Sequence, residues 1–139
     1  MAEVKVERVL GPAKRAVFKG LKAFNDAAVG KSDGRSIAIT LRHRGAIVGG
    51  LIGHTYLGWM FVAAFWVADE FRRKGFGSKL MTAAEKEAKR RGVTNIYLDT
   101  FSFQAPGFYG KLGYEEFGRL DYPPDHYRHF MKKRLIPSE

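Results

Sequence analysis

The sequence predicts a mixed α+β fold in which helices flank a central, mostly antiparallel sheet. Three observations support this class. The chain has 139 residues, 45% of them hydrophobic, which suits one folded domain over residues 1–139. Apolar and polar residues alternate in segments separated by glycine-containing turns, as strands require. Longer segments repeat their apolar residues at helical spacing. Together these patterns give the order β-α-β-β-β-α-β-α-β-β.

The N-terminal third of the sequence predicts one strand and one helix. Charged and apolar residues alternate over Glu3 to Val9, which indicates a strand. Pro12 suits the first turn of a helix, where its missing N–H is not needed. The apolar face of that helix consists of Ala13, Ala16, Val17, Leu21, Phe24 and Ala28. Lys31 to Gly34 predicts the turn that follows.

The next segment contains 24 residues, from Gly45 to Ala68, without a single Asp, Glu, Lys or Arg. That length would span a bilayer as a helix. Five glycines and many β-branched and aromatic residues favour two strands instead, with a turn near Tyr56 to Gly58. We therefore predict strands over Ile37 to Leu41, Ala46 to Thr55 and Trp59 to Val67, with a hairpin turn at Arg44-Gly45, and no transmembrane helix and no membrane partner.

The C-terminal half predicts two helices among three strands. Ser78 to Arg91 is amphipathic, its buried face being Leu80, Met81, Ala84 and Ala88, and Gly92 suits the cap at its end. The remaining elements are a strand at Asn95 to Asp99, a short helix at Gln104 to Leu112, a strand at Tyr114 to Leu120, a break at Pro123-Pro124 and a last strand at Tyr127 to Arg134.

The charge balance is the unusual feature of the composition. The chain carries 24 Lys+Arg and 14 Asp+Glu, a net charge of +10, and it has no cysteine. The absence of cysteine excludes thiol catalysis and thiolate metal sites, and it fits a reducing, cytoplasmic location. The positive charge favours anionic partners, which include nucleic acid, a membrane surface and a phosphorylated cofactor.

A basic loop between the strand that ends at Val67 and the helix that follows is a candidate anion site. Gly75 and Gly77 allow positive φ and close approach of a ligand to the backbone. The free N–H groups at a helix start suit a phosphate, although the same residues also describe a solvated turn. The loop contains neither the GxxxxGK[ST] string of a P-loop nor a full GxGxxG fingerprint, since Leu80 occupies the position of the third glycine.

A second candidate is the segment from Leu98 to Tyr114, where a strand leads to a short helix and a glycine turn. Tyr109 lies in this helix. A phenol is protonated at neutral pH and can give its proton to a basic leaving group. Phe108 and Tyr109 also fit a purely packing role as core aromatics.

Taken together, the two segments resemble the GNAT superfamily of acetyl-CoA-dependent N-acetyltransferases, and especially its small, single-domain bacterial members. Arg72 to Gly77 resembles the signature Q/R-x-x-G-x-G/A. Ser102 to Tyr109 resembles the N-x-x-A-x-x-x-Y segment, and Lys111 to Tyr114 resembles the K-L-G-F/Y that follows it. Ser102 departs from this pattern, because the family often has Asn there. Its shorter side chain puts the cofactor contact at that position in doubt.

The resemblance implies a role for each matching residue. Tyr109 would protonate the departing thiolate of coenzyme A. The implied cofactor-binding residues are Phe65, Trp66 and Val67 for the pantetheine arm, then Arg72, Arg73, Lys74, Gly75, Phe76, Gly77 and Ser78 for the pyrophosphate, and Ser102, Ala105 and Phe108. The implied reaction is direct attack of a primary amine of a small molecule on the thioester, with a backbone N–H near Val67 stabilising the oxyanion.

The general base is left open by the sequence. Many relatives place a Glu on the fourth strand, whereas Trp59 to Val67 contains no acid. His54, Asp99, His126 and a water remain as candidates, and Asp99 equally suits pairing with a cation. His126 and His129 fall on opposite faces of a strand, so we predict no metal.

The identity of the acceptor and the oligomeric state are also left open, with a homodimer among the states allowed. Four aromatic residues suggest a slot for an amine with a hydrophobic part: Trp59, Phe61, Tyr122 and Tyr127. Two alternatives to the enzyme are a non-catalytic CoA-binding sensor of the same fold and a basic nucleic-acid-binding module. Residues 69–92 alone carry 8 Lys+Arg and 4 Asp+Glu, so the local charge suits the phosphates of coenzyme A without requiring nucleic acid. The overall positive charge disfavours polycationic acceptors unless Asp99, Glu115, Asp121 or Asp125 forms a local acidic mouth.

Overall fold

The computed structural model describes residues 1–31 and 34–135, which belong to two compact units, residues 1–33 and 34–139. The first unit contains one helix, α1 (Leu10–Val29). Pro12 lies in its first turn, as predicted, and Lys22 pairs with Asp26 one turn later at 2.6 Å. Ser32 and Asp33, in the predicted turn that ends this region, lie outside the described residues.

The predicted strand at Glu3 to Val9 is wrong. The described residues before α1 form no strand, and every strand pairing in the described sheet joins residues from 35 to 134. Val4 and Val6, which would have formed the apolar face of the strand, are fully exposed. Alternation along a sequence shows only that a segment could be extended. A stable strand also needs a neighbour for its backbone groups.

The second unit contains a six-stranded sheet in the order β1-β2-β3-β4-β6-β5. All neighbouring strands are antiparallel except β3 and β4, which confirms the mixed, mostly antiparallel sheet. The strands are β1 (Arg35–His43), β2 (Ala46–Tyr56), β3 (Trp59–Val67), β4 (Asn95–Phe101), β5 (Glu115–Tyr122) and β6 (His126–Arg134). The helices are α2 (Phe76–Arg90) and α3 (Pro106–Lys111), and a 3-10 turn covers Asp69–Phe71.

Two tight turns fold the uncharged segment into the predicted hairpins. Arg44 and Gly45 have φ values of 50° and 83°, and Leu57 and Gly58 have values of 48° and 82°. Consecutive residues with positive φ form the turn type whose twist matches paired strands. In the described part of the chain, no helix is long and apolar enough to cross a membrane.

The core lies between the sheet and α2. The four helix residues predicted to be buried are the buried residues of α2, namely Leu80, Met81, Ala84 and Ala88. They pack in one cluster with Leu51, Met60, Ile96 and Leu98 from three strands. Gly92 follows Arg91, the residue at the end of the helix, and its φ of 77° confirms its predicted capping role.

The Arg91 side chain joins the C-terminal end of α2 to β1 and β2 by hydrogen bonds. Its guanidinium donates to the carbonyls of Arg35 and Ser36 at 3.2 and 3.0 Å, and to the Thr55 hydroxyl at 3.1 Å. It also pairs with Glu87 at 3.2 Å. Only 9% of its side chain is exposed, so these bonds are shielded from competing water.

We expect Arg91→Ala to lower the free energy of unfolding by about 2–3 kcal/mol, because it removes several charge-assisted bonds at once. The neighbouring Arg90→Ala is the matched control, since Arg90 pairs with the same Glu87 but its side chain is 66% exposed. Urea denaturation followed by circular dichroism measures both. Equal losses of unfolding free energy in the two variants would contradict the stabilising role of the Arg91 hydrogen bonds.

Candidate active site

A cleft opens in the sheet where β3 and β4 separate. The two strands pair only from Trp59 to Val62 and from Asn95 to Leu98. Each strand then continues, β3 to Val67 and β4 to Phe101, without pairing to the other. Backbone groups on the facing edges are therefore left for another partner, and an extended ligand chain could supply one.

A β-bulge marks the point of separation. Ile52 pairs with Ala64 and Gly53 pairs with Val62, so that Ala63 is the additional residue on β3. A bulge bends the strand that carries it and increases its twist. This bulge follows directly after the last residue of β3 that pairs with β4, and it therefore accounts for the divergence of the two strands.

The loop after β3 leads to the bare amino terminus of α2. Arg72 Nε donates to the Val67 carbonyl oxygen at 2.8 Å, which closes the loop on itself. Arg73 and Gly75 both have left-handed backbone conformations, with φ values of 62° and 83°. No side chain caps α2, and its first turn contains no acidic residue. The first N–H groups of the helix are therefore free to bind an anion.

Gly77 is needed for a reason different from the one that the sequence suggested. It lies in the first turn of α2 and does not have positive φ, so that prediction is wrong for this residue. A Cβ at this position would lie 3.2 Å from Cζ of Phe108 and 3.5 Å from Cζ of Phe65. Gly77 thus allows α2 to begin against two aromatic rings, one on β3 and one on α3.

Tyr109 lies on α3 beside these rings. Its ring centroid is 5.1 Å from that of Phe108 and 6.2 Å from that of Phe65. The side chain is buried, yet no described residue hydrogen-bonds to its hydroxyl, and no buried side-chain oxygen in the described residues lacks a partner. The hydroxyl therefore keeps access to solvent. Burial, with a smaller contribution from the charge of Asp99, raises the pKa of Tyr109 to about 12.

Asp99 is held by a cation that the sequence analysis did not identify. Arg128 on β6 donates from Nε and Nη2 to the two carboxylate oxygens, each at 3.0 Å. Of the two roles that the sequence left open for Asp99, the structure confirms pairing with a cation. No local sequence pattern pointed to Arg128, because its position beside Asp99 depends on the pairing of β6 with β4. The ion pair raises the pKa of Arg128 above its ordinary value.

The two candidate histidines lie in different places. His54 on β2 packs against Phe61, with 5.7 Å between the ring centroids. Phe61 lies one residue before Val62, the last residue of β3 that pairs with β4, so His54 lies on β2 beside the point where the cleft begins. His126 packs against Phe103, at 5.0 Å, just beyond the end of β4. The described residues contain no group of three His, Asp or Glu side chains arranged for a metal.

Ser102 closes the loop between β4 and α3. Its Oγ accepts the Tyr127 N–H at 3.0 Å, and its own N–H donates to the Tyr127 carbonyl at 2.8 Å. Gln104, which the sequence analysis passed over, supports the same loop: its Oε1 accepts the Phe101 N–H at 2.8 Å. The Ser102 hydroxyl therefore contributes to positioning the loop within the protein.

The four residues of the predicted aromatic slot do not come together, so that prediction is wrong. Phe61 stacks on Tyr97 at 4.8 Å, and Trp59 and Tyr97 line a shallow groove of about 450 Å³ near the start of β3. Tyr122 packs on Phe101 instead, and Tyr127 lies under Arg119. Residues two apart on a strand share a face, but the sequence does not show which strands are neighbours.

Comparison with known proteins identifies the family. A sequence model described as the acetyltransferase (GNAT) family matches residues 12–114. The chain is 38% identical to acetyltransferase Atu2258 of Agrobacterium fabrum, over 78% of this chain and 80% of that protein. It is 39% identical to a blasticidin-S acetyltransferase of Streptomyces morookaense, over 66% of this chain and 69% of that protein.

A solved structure agrees with the sequence matches. A crystal structure from Agrobacterium tumefaciens, of a protein assigned to the acetyltransferases, superposes with a TM-score of 0.90 at 33% identity. The match covers 97% of this chain and all of that one. The fold, the family match and the named relatives agree on an acetyl-transferring enzyme, and the chain belongs to the GNAT family of acetyltransferases.

Proposed function

We propose that this protein transfers the acetyl group of acetyl-CoA to a primary amine of a small molecule, by direct attack in a ternary complex. Residues 1–139 act as one N-acetyltransferase domain, and the lack of cysteine suits a cytoplasmic location. The observation that carries the proposal is the cleft between β3 and β4, which has the bare start of α2 and the accessible hydroxyl of Tyr109 beside it. The relative that acts on blasticidin S supports a small-molecule acceptor.

The donor is held from two sides in this proposal. Backbone groups from Phe65 to Val67 pair with the extended pantetheine arm, as a further strand would. The N–H groups from Arg73 to Ser78 receive the pyrophosphate at the start of α2. Arg72, whose own N–H is bonded to the Asp69 carbonyl, adds favourable charge together with the other basic residues of the loop. Ala105 and Phe108 complete the contact from α3. The Ser102 hydroxyl accepts the Tyr127 N–H and still has its own proton to donate to the cofactor.

Tyr109 supplies the proton for the departing thiolate. Its raised pKa keeps the phenol protonated throughout the physiological range. A thiol is more acidic than this phenol, so the proton moves toward sulfur within a hydrogen bond that strengthens as negative charge develops there. The hydroxyl is free to make that bond because no described residue occupies it.

Asp99 and the residues near it face the incoming amine. Its carboxylate, fixed by Arg128, attracts an ammonium group toward the cleft. The amine must lose a proton before it attacks, and water or one of Asp99 and His126 receives it.

The release of coenzyme A in the presence of amines tests this function. A thiol reagent reports the product, and a chain without cysteine adds no background. We expect release above the rate of spontaneous hydrolysis with at least one member of a primary-amine panel that includes blasticidin S. Failure of every amine, with the donor shown to bind by calorimetry, would contradict transfer to small-molecule amines.

A substitution at Gly77 tests the donor site separately. We expect Gly77→Val to raise the dissociation constant of acetyl-CoA at least about tenfold, because its side chain would displace Phe108 and Phe65 at the start of α2. Gly107→Val is a control on α3, since nothing lies within 4 Å of a Cβ there. Calorimetric titration measures both variants. An unchanged dissociation constant of acetyl-CoA in Gly77→Val would contradict a donor site at the start of α2.

A further inference from the structure

Four rings form a cluster at the carboxyl end of β4, which we call the ring cluster: Phe101, Phe103, Tyr122 and His126. Phe101 and Phe103 stack nearly parallel, with centroids 5.2 Å apart and an interplanar angle of 18°. Tyr122 meets Phe101 edge-on at 5.1 Å, and His126 meets Phe103 edge-on at 5.0 Å. The stacked pair and its two perpendicular neighbours thus form a corner with flat walls.

One wall of this corner is open. Phe103 is 63% exposed although it stacks on one ring and meets another, so a face of its ring is turned to solvent. The loop that carries it is fixed at both ends, by Ser102 bonded to Tyr127 and by Gln104 bonded to the Phe101 N–H. Phe103 extends the ring cluster as exposed apolar surface, and a contiguous exposed apolar patch marks a binding surface where an isolated exposed side chain does not.

The ring cluster is continuous with the reacting side of the cleft. Phe101 is the last residue of the part of β4 that separates from β3. The Arg128 guanidinium lies over its ring at 5.5 Å and donates to Asp99, two residues earlier on the same strand. Asp99 is also the charged neighbour of Tyr109. An amine placed near Asp99 would therefore have the rest of its molecule beside Phe103.

We propose that the open face of Phe103 stacks on a planar ring of the acceptor, so that the enzyme selects amines attached to an aromatic or heteroaromatic group. This inference rests on the proposed function, since it describes the acceptor of that reaction. The parallel wall and the perpendicular wall fit a flat ring better than a puckered aliphatic one. Charge agrees, because the protein carries +10 overall, which disfavours acceptors with several positive charges.

Two amines of equal length and charge test the proposal: 2-phenylethylamine and 2-cyclohexylethylamine. Calorimetry on the protein saturated with coenzyme A measures the binding of each without requiring turnover. We expect the aromatic amine to bind about threefold to tenfold more tightly, the gain that ring stacking adds to burial alone. Phe103→Leu should reduce this ratio to about one and leave coenzyme A affinity unchanged. Phe117→Leu, at another exposed phenylalanine, should preserve the ratio.

The outcomes separate this proposal from the proposed function. Equal binding of the two amines, or a preference that survives in Phe103→Leu, overturns the stacking role. A loss of coenzyme A affinity in Phe103→Leu with the amine ratio unchanged also overturns it, because the ring would then serve the donor. Coenzyme A release, measured in parallel, tests acetylation independently. A Phe103-dependent preference without acetylation would refute the reaction and retain the binding surface.

Discussion

Replacement of Tyr109 by phenylalanine is expected to lower kcat about a hundredfold and to leave the KM for acetyl-CoA nearly unchanged. General acid catalysis contributes about 10²–10⁴-fold, and a thiolate is a good enough leaving group to place this case at the lower end. The hydroxyl makes no hydrogen bond within the described residues, so its removal breaks no bond that stabilises the fold. Steady-state kinetics at saturating acceptor measures the effect.

Tyr114→Phe is the matched control for this experiment. Tyr114 is also buried, but its hydroxyl bonds to Glu85 at 3.2 Å, on the side of the sheet covered by α2. We expect this variant to lose stability and to keep its kcat. A Tyr109→Phe enzyme with unchanged kcat would remove the acid role from the account.

The pH dependence follows from the same environment. Because burial and the charge of Asp99 raise the pKa of Tyr109 to about 12, the phenol stays mostly protonated up to about one pH unit below that value. With an unperturbed phenol, whose pKa is near 10, the enzyme would begin to lose kcat about two pH units lower. We therefore expect no decline of kcat from this group up to about pH 11, measured as kcat against pH over the range in which the fold persists.

Substitution of Gly53 by alanine is expected to have the largest effect on stability, at least about 3 kcal/mol. A Cβ at this position would lie 2.0 Å from the Phe61 carbonyl oxygen and 3.1 Å from its carbon. These are backbone atoms of the adjacent strand, which cannot move aside as a flexible side chain can. Gly53 also lies at the register shift that accompanies the bulge on β3, so strain there would distort the cleft.

Thermal unfolding measures this effect, with an expected fall in Tm of about 10 °C or more. Gly20→Ala is the control, since nothing lies within 4 Å of a Cβ there and glycine is unfavourable inside a helix. We expect that variant to match or exceed the natural protein. If the Gly53→Ala protein is insoluble, the soluble fraction on expression gives the comparison. A Tm within 2 or 3 °C of the natural protein would contradict the close approach of the two strands.

Local sequence patterns were sufficient to predict the elements that depend only on residues close together in the sequence. Both hairpins were predicted from a glycine at the turn, Gly45 or Gly58, and each of these glycines has positive φ. The buried face of α2 follows from helical spacing and was predicted residue by residue. The fold class followed from the order of such elements, and the family resemblance at Arg72–Gly77 and Ser102–Tyr109 was confirmed by the matches to acetyltransferases.

The features that were missed depend on which distant segments meet. Alternation at Glu3–Val9 predicted a strand, but the described residues before α1 form none. The pairing of β4 with β6, in place of β5, brings Arg128 to Asp99, and no local pattern contains that information. The same pairing separates Tyr122 from Trp59 and creates the ring cluster instead. Gly77 lies in α2 and not in the loop, and a glycine is needed there because of the packing of Phe108 and Phe65 and not because of its φ.

The central claim is transfer of the acetyl group directly from acetyl-CoA to an amine nitrogen. Isotopically labelled acetyl-CoA, incubated with the enzyme and an acceptor that supports coenzyme A release, tests it most directly by mass spectrometry of the acceptor and the protein. We expect one labelled acetyl group on the acceptor nitrogen for each thiol released, and none on the protein. Label retained on a protein side chain during turnover, or thiol released without a labelled acceptor, would contradict the account.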